Sequence, residues 1–248
     1  MIIGLKIIFL LGFLILIHES GHYIVAKICK ITVNEFALGF GPKLLSKTIG
    51  ETTYELRLVP LGGFVRLEGE EEHSEKEGSF NKASIPKRIA ILSAGAIVNI
   101  FFGLIMYVIL MTVRYKITVD DTFLRAIGFG IQAGKELLVD MLMGIYQLIK
   151  GGITLNDMTG PVGISSMVSK TNGLEEFLYL LSIISISLGI TNLFPIVPLD
   201  GGKILLLIIE AIRKKELKEE TELRIQSVGF VLLIAFSLIV TIHDISRL

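Results

Sequence analysis

The sequence predicts a polytopic α-helical membrane protein of about four transmembrane helices, with a small membrane-associated β-hairpin or sheet insert and an amphipathic surface helix. Three observations carry that expectation. Hydrophobic residues make up 52% of the 248 positions and the mean hydropathy is +0.70, above the range of a soluble domain of this length. Four stretches can cross about 30 Å of hydrocarbon at about 1.5 Å per helical residue. The segments between them alternate with the period of strands, or carry charges on one helical face.

Taken in order, the first span covers residues 2–29 and has one charge, Lys6, before the polar group at His18. A cleaved signal peptide would also begin this way. No small-residue cleavage site follows, however, and Tyr23-Ile24-Val25-Ala26 resumes the apolar face, so a retained helix is expected. Residues 31–67 read as β-structure: Thr53 to Val59 and Phe64 to Leu67 flank Pro60-Leu61-Gly62-Gly63, a hairpin-turn signal. Phe36 to Phe40 and Lys43 to Ile49 would add two short strands. Such a sheet is either a soluble cap or an edge that pairs with an extended substrate. Glu68 to Glu77 holds six glutamates and His73 and reads as a solvated loop with no metal role.

The second span, 89–113, has 25 uncharged residues between Arg88 and Arg114. Residues 124–150 set Arg125, Lys135, Glu136 and Asp140 among Leu137, Leu138, Met141, Leu142, Ile145 and Leu148, the pattern of an amphipathic helix lying on the membrane. Gly151-Gly152 ends it. The third span, 177–205, contains Asn192, Pro195 and Pro198. Two prolines remove backbone donors and clash with the preceding turn, so the helix should unwind there. The fourth span is 225–243, and residues 1–248 are expected to form a single domain without internal repeats.

Net charge is zero and no basic cluster tracks along the chain, which argues against a nucleic-acid partner. The single cysteine, Cys29, cannot form an internal disulfide. Lys and Arg number ten in Lys27 to Arg88 and six in the shorter Lys203 to Arg224. That bias places both segments in the cytoplasm and the termini outside, in a multi-pass cell-membrane protein whose lipid contact is the bilayer itself.

The chemistry lies in His18-Glu19-Ser20-Gly21-His22. This H-E-x-x-H pattern puts two imidazoles on one helix face, four residues apart, with a carboxylate beside them. Polar residues held by neighbouring helices, with no metal, are the plain alternative. Burying a charge at the centre of a span costs roughly 2.5–3.5 kcal/mol on insertion scales, so such residues need partners or a task. Zinc held by three protein groups lowers the pKa of a water in its fourth position, and a neighbouring carboxylate can accept that water's proton. A third ligand is then required. Asp200, at the end of the Asn192-to-Gly202 break, is one candidate, and capping of the following helix is its ordinary role. Glu210 is a competing carboxylate.

His18 to His22, the Pro60-Leu61-Gly62-Gly63-Phe64-Val65-Arg66 segment and Asn192 to Gly202 together resemble the site-2 proteases, the intramembrane zinc metalloproteases. Arg88 to Gly95 with Asn99, and Gly160-Pro161-Val162, are similar in the same order. Within that family the chain looks most like bacterial members that cut membrane-bound anti-sigma proteins. The resemblance implies one zinc per chain on His18, His22 and Asp200, with Glu19 as general base; the Lys and Arg bias sets that site towards the cytoplasm. It implies a substrate-binding set of Asn192, Leu61, Gly62, Gly63, Phe64 and Val65. The implied partner is a transmembrane protein substrate, either an anti-sigma factor or a membrane protein already cut by another protease. A zinc-binding scaffold without activity, or a small-solute transporter with a broken helix, would be the alternatives. The chain departs from the pattern in having about ten residues between Arg114 and Leu124, far too few for the PDZ domain of the sigma-regulating members. Pro198 also falls one position later than the family pattern, and Ala96 stands where proline is usual.

Overall fold

The computed structural model describes residues 2–70, 72–152, 154–215 and 217–247, with all of their side chains except those of Ile2, Leu61, Leu155 and Glu219. The elements run α1 (Ile2–Ile28), β1 (Val33–Ile49), β2 (Thr52–Leu67), α2 (Ile85–Val119), α3 (Phe123–Ile149), α4 (Pro161–Ser169), α5 (Leu174–Asn192), α6 (Asp200–Arg213) and α7 (Glu219–Ser246). Among the described residues, four helices are long and apolar enough to span: Ile3–Ile28, Ile85–Val119, Leu174–Asn192 and Glu220–Ser246. The expected third span is therefore two helices. α5 stops at Asn192 and α6 starts at Asp200, with both prolines and a cis Val197–Pro198 bond in the segment between.

The chain divides into two compact units, Met1–Ile100 with Leu188–Gly229, and Phe101–Ser187 with Phe230–Leu248. In the first, Ala26, Ile31, Val33, Leu67, Phe80, Ile91, Leu92 and Leu207 form the core. α1 and α2 cross at backbone contact: a Cβ built on Gly21 would stand 2.5 Å from the Ala94 carbonyl oxygen. Only glycine permits that approach. Tyr23 on α1 meets the sheet through its hydroxyl, 2.6 Å from that of Tyr54, and packs edge-on to Phe36 at 5.4 Å.

β1 and β2 pair as an antiparallel ribbon whose turn is Gly50-Glu51, with Gly50 at φ +62°. The expected turn at Pro60 to Gly63 is not one, and the expected separate strands Phe36 to Phe40 and Lys43 to Ile49 are both parts of β1. Those turn-forming residues bend the ribbon instead. The register skips Pro60 to Gly62, where proline offers no donor and a side chain on Gly62 would overlap the Phe40 ring. Doubling over gives Phe36 two partners, Val65 on one side and Tyr54 on the other. Partner numbers fall along the first side and rise along the second, so that second pairing is locally parallel. Val33 to Leu38 is thereby central, and Gly63 to Leu67 forms a margin of the sheet.

In the second unit, helices approach through small residues, the usual device where lipid-like surroundings give little hydrophobic drive to pack. A Cβ on Gly103 would lie 2.5 Å from the Ser182 carbonyl oxygen, and one on Gly134 would lie 2.7 Å from Val108 Cγ2. α3 occupies the range expected of the amphipathic helix and buries Ala126, Gly130 and Gly134. Pro161 opens α4, and Asp244 Oδ2 accepts the backbone N–H groups of Gly160 and Gly163, both at 2.9 Å.

Candidate metal centre

α1 carries His18 and His22 one turn apart, both buried, with ring centroids 4.8 Å apart and planes at 80°. His22 Nδ1 stands 2.8 Å from the Ile91 carbonyl oxygen. A carbonyl only accepts, so Nδ1 carries the proton and Nε2 presents its lone pair. His18 Nδ1 lies 3.4 Å from the side-chain amide nitrogen of Asn99 on α2. Rotated by half a turn, that amide would present its oxygen instead, accept the Nδ1 proton and leave Nε2 of His18 free in the same way.

Both Nε2 atoms converge on Asp200. His18 Nε2 and His22 Nε2 are 3.2 Å apart, and Asp200 Oδ2 stands 3.2 Å from the first and 3.4 Å from the second. Tetrahedral zinc with ligands at about 2.0–2.1 Å separates its ligand atoms by about 3.3–3.4 Å. The three atoms fit that geometry. Asp200 Oδ2 is also buried without a hydrogen bond, and three converging lone pairs repel unless a cation sits among them.

Local sequence explains why Asp200 reaches the imidazoles. It is the first residue of α6, whose N-cap is Leu199 and makes no side-chain hydrogen bond, so Asp200 does not cap the helix. Gly201 and Gly202 lie against the backbone of Leu193, Ile196 and Val197, where any side chain would overlap. The competing carboxylate is committed elsewhere: Glu210 faces Arg88 at 3.3 Å and accepts the Leu217 N–H at 2.8 Å.

The cluster opens on a cavity of about 160 Å³ lined also by Glu19, Phe64, Val65, Glu70 and Lys203. Gly63 abuts Glu19: a Cβ there would be 3.3 Å from Glu19 Cγ. Of the expected substrate residues, Gly63, Phe64 and Val65 thus stand at the cluster. Gly62 faces Phe40, the Leu61 side chain lies outside those described, and Asn192 is half-buried at the end of α5 without lining this cavity. Sequence reasoning gave no role to Asn99, Gly95 or Lys203. For Lys203 the signal was its place one helical turn after Asp200; for the other two it was the motif around α2.

Residues 6–236 match the family model described as Peptidase family M50. The chain belongs to peptidase family M50. A provisionally named zinc metalloprotease of Clostridium perfringens is 30% identical over 94% of this chain and 95% of its own length. Relatives with the same provisional name in Fusobacterium nucleatum and Campylobacter jejuni are 25% and 24% identical, over 96% and 98% of this chain and 97% and 93% of their own. The M50 chain is accordingly a metalloprotease, and with its four apolar helices a multi-pass membrane protein whose family acts on membrane proteins. No PDZ domain is evident among the described residues. The alignment with the Clostridium protein extends over 318 positions, more than the 248 residues here, so that relative carries sequence without a counterpart in this chain.

Proposed function

We propose that this M50 protease is an intramembrane zinc endopeptidase that hydrolyses a peptide bond in or near the transmembrane segment of another membrane protein. The convergence of His18, His22 and Asp200 beside Glu19 carries this reading. One zinc per chain, held by those three side chains, would supply a Lewis acid and a water of lowered pKa. Glu19 takes the water's proton and delivers it to the leaving amine. Ile91 and Asn99 hold the two imidazoles in the tautomer that the metal requires.

A transmembrane helix buries the carbonyl that must be attacked, so the substrate has to be extended at the site. Gly63 to Leu67 supports such a role, because among the described residues it pairs with β1 on one side only while Phe64, Val65 and Leu67 line the cavity. A substrate strand added there gains backbone hydrogen bonds and is held next to Glu19. Asn192, at the opening of the break before Asp200, would hold the strand from the other side. The basic segments support an orientation with the cluster towards the cytoplasm and the termini outside. With no PDZ domain to exclude bulky partners, the substrate is a transmembrane protein small or already trimmed outside the membrane; a membrane-bound anti-sigma protein is the example that the resemblance offers.

The test is turnover of a reconstituted single-span substrate. Glu19→Gln keeps shape and ligands, so zinc stays at one per chain while cleavage falls about 10²–10⁴-fold. Undiminished cleavage by Glu19→Gln refutes the assignment.

A further inference from the structure

Beside the 160 Å³ cavity lies a second of about 770 Å³, and Phe64, Val65, Glu70, Leu92 and Lys203 line both. Lys203 Nζ donates to Glu70 Oε1 at 2.8 Å, joining α6 to the loop after β2 across 133 positions of sequence. The pair stands where the two cavities meet. Among the described residues lining the smaller one, Lys203 is the one lysine or arginine; the remaining ionisable groups are the two imidazoles, Glu19, Glu70 and Asp200.

Peptide hydrolysis turns a neutral amide into two charged ends. The water oxygen bonds to the carbonyl carbon, the C–N bond breaks, both water protons finish on the amine, and a carboxylate remains. That carboxylate forms in a small cavity already holding three carboxylate side chains, where an unpaired negative charge is costly. With the two charges of a bound zinc offset by Asp200 and Glu19, and Glu70 offset by Lys203, the new carboxylate is the charge left over, and Lys203 is the cation beside it that the metal does not occupy. An ammonium has three donors, and the hydrogen bond to Glu70 uses one. Lys203 also sits at i+3 from Asp200, on the same face of α6.

We propose that Lys203 binds the carboxylate created at the cleaved bond, with Glu70 holding its ammonium at the mouth of the cavity until that charge appears. The proposal rests on the zinc-protease reading above. It makes Lys203 a substrate-contacting residue and Glu70 a positioning one, and the larger cavity becomes the route by which the new chain end leaves.

The experiment uses the full chain in detergent with Glu19→Gln to prevent turnover. The probes are N-acetyl-Ala-Ala-Leu with a free carboxylate and the same tripeptide as its amide, titrated by calorimetry, with zinc measured on every sample. The carboxylate form should bind more tightly, and Lys203→Met should cut that preference about tenfold, the size of one charge-assisted hydrogen bond. Lys203→Arg should keep most of it, and Glu70→Gln should keep it or increase it. Zinc should be equal in all four proteins. An unchanged preference in Lys203→Met with zinc intact overturns this proposal alone, as does a loss in Glu70→Gln equal to that in Lys203→Met, which would make the pair a structural latch. Absence of zinc from the Glu19→Gln protein overturns the metal-centre reading and this one together.

Discussion

Gly95 provides a test of the metal centre that touches none of its members. A Cβ built on Gly95 would stand 2.8 Å from both His18 Cε1 and His22 Cδ2, and closer still to His22 Nε2. Ordinary carbon contacts lie at about 3.5–4.0 Å, so the Gly95→Ala methyl must displace the two rings by roughly 1 Å. Metal–ligand distances tolerate about 0.2 Å, so at least one imidazole would leave its position. The methyl meets side chains rather than the α1 backbone, which lets the helix crossing persist. Zinc affinity should therefore fall by about 100-fold or more, the upper end of what loss of a ligand's support costs, with the helical circular dichroism unchanged. Competition against a buffered chelator measures the affinity. Gly4→Ala is the control, since nothing lies within 4 Å of the added methyl. Native zinc affinity in Gly95→Ala would refute the placement of the rings against α2.

Two further outcomes follow from groups around the site. Asn99→Leu removes the amide beside His18 Nδ1 and should weaken zinc about 10–100-fold, with Asn99→Asp restoring it if the amide oxygen is the supporting atom; equal affinity in Asn99→Leu and the native chain would count against that support. The Glu68 carboxyl is held down at about 2 by the Ser74 hydroxyl at 2.6 Å, then by Asn34 at 2.9 Å and Lys76 at 3.2 Å. A lowered carboxylate stabilises the fold above its unfolded pKa and loses that contribution as pH falls through the folded value. Amide protection in the loop carrying Ser74, with the intrinsic pH dependence of exchange divided out, should thus hold near pH 4.5 and fall towards about 2, with Ser74→Ala moving the fall to higher pH.

Much of this architecture is legible in the sequence because membranes impose length and satisfaction of the backbone. Ile2 to Ile28 and Glu219 to Ser246 announce themselves by apolar length, and Pro195 with Pro198 marks the interruption between α5 and α6. His18 and His22 are equally plain, since their spacing is the period of the helix that carries them. The turn of the β-ribbon was misplaced for a physical reason. Pro60-Leu61-Gly62-Gly63 has turn chemistry, but a bend in a doubled ribbon asks for the same residues, and only the pairing of Phe36 with both Tyr54 and Val65 separates the two. Asn99, Gly95 and the Ile91 carbonyl were not legible as parts of the site, because each acts through the crossing of α1 and α2 at Gly21. The Lys203–Glu70 contact likewise depends on the fold alone.

The choice of third ligand is the point on which the account stands. Zinc per chain, measured by mass spectrometry on native, Asp200→Ala and Glu210→Ala proteins purified in detergent, tests it most directly. Native protein should hold one zinc, Asp200→Ala should lose it, and Glu210→Ala should keep it while becoming less stable, because Arg88 loses its buried partner. Full zinc in Asp200→Ala together with its loss in Glu210→Ala would contradict the His18–His22–Asp200 centre.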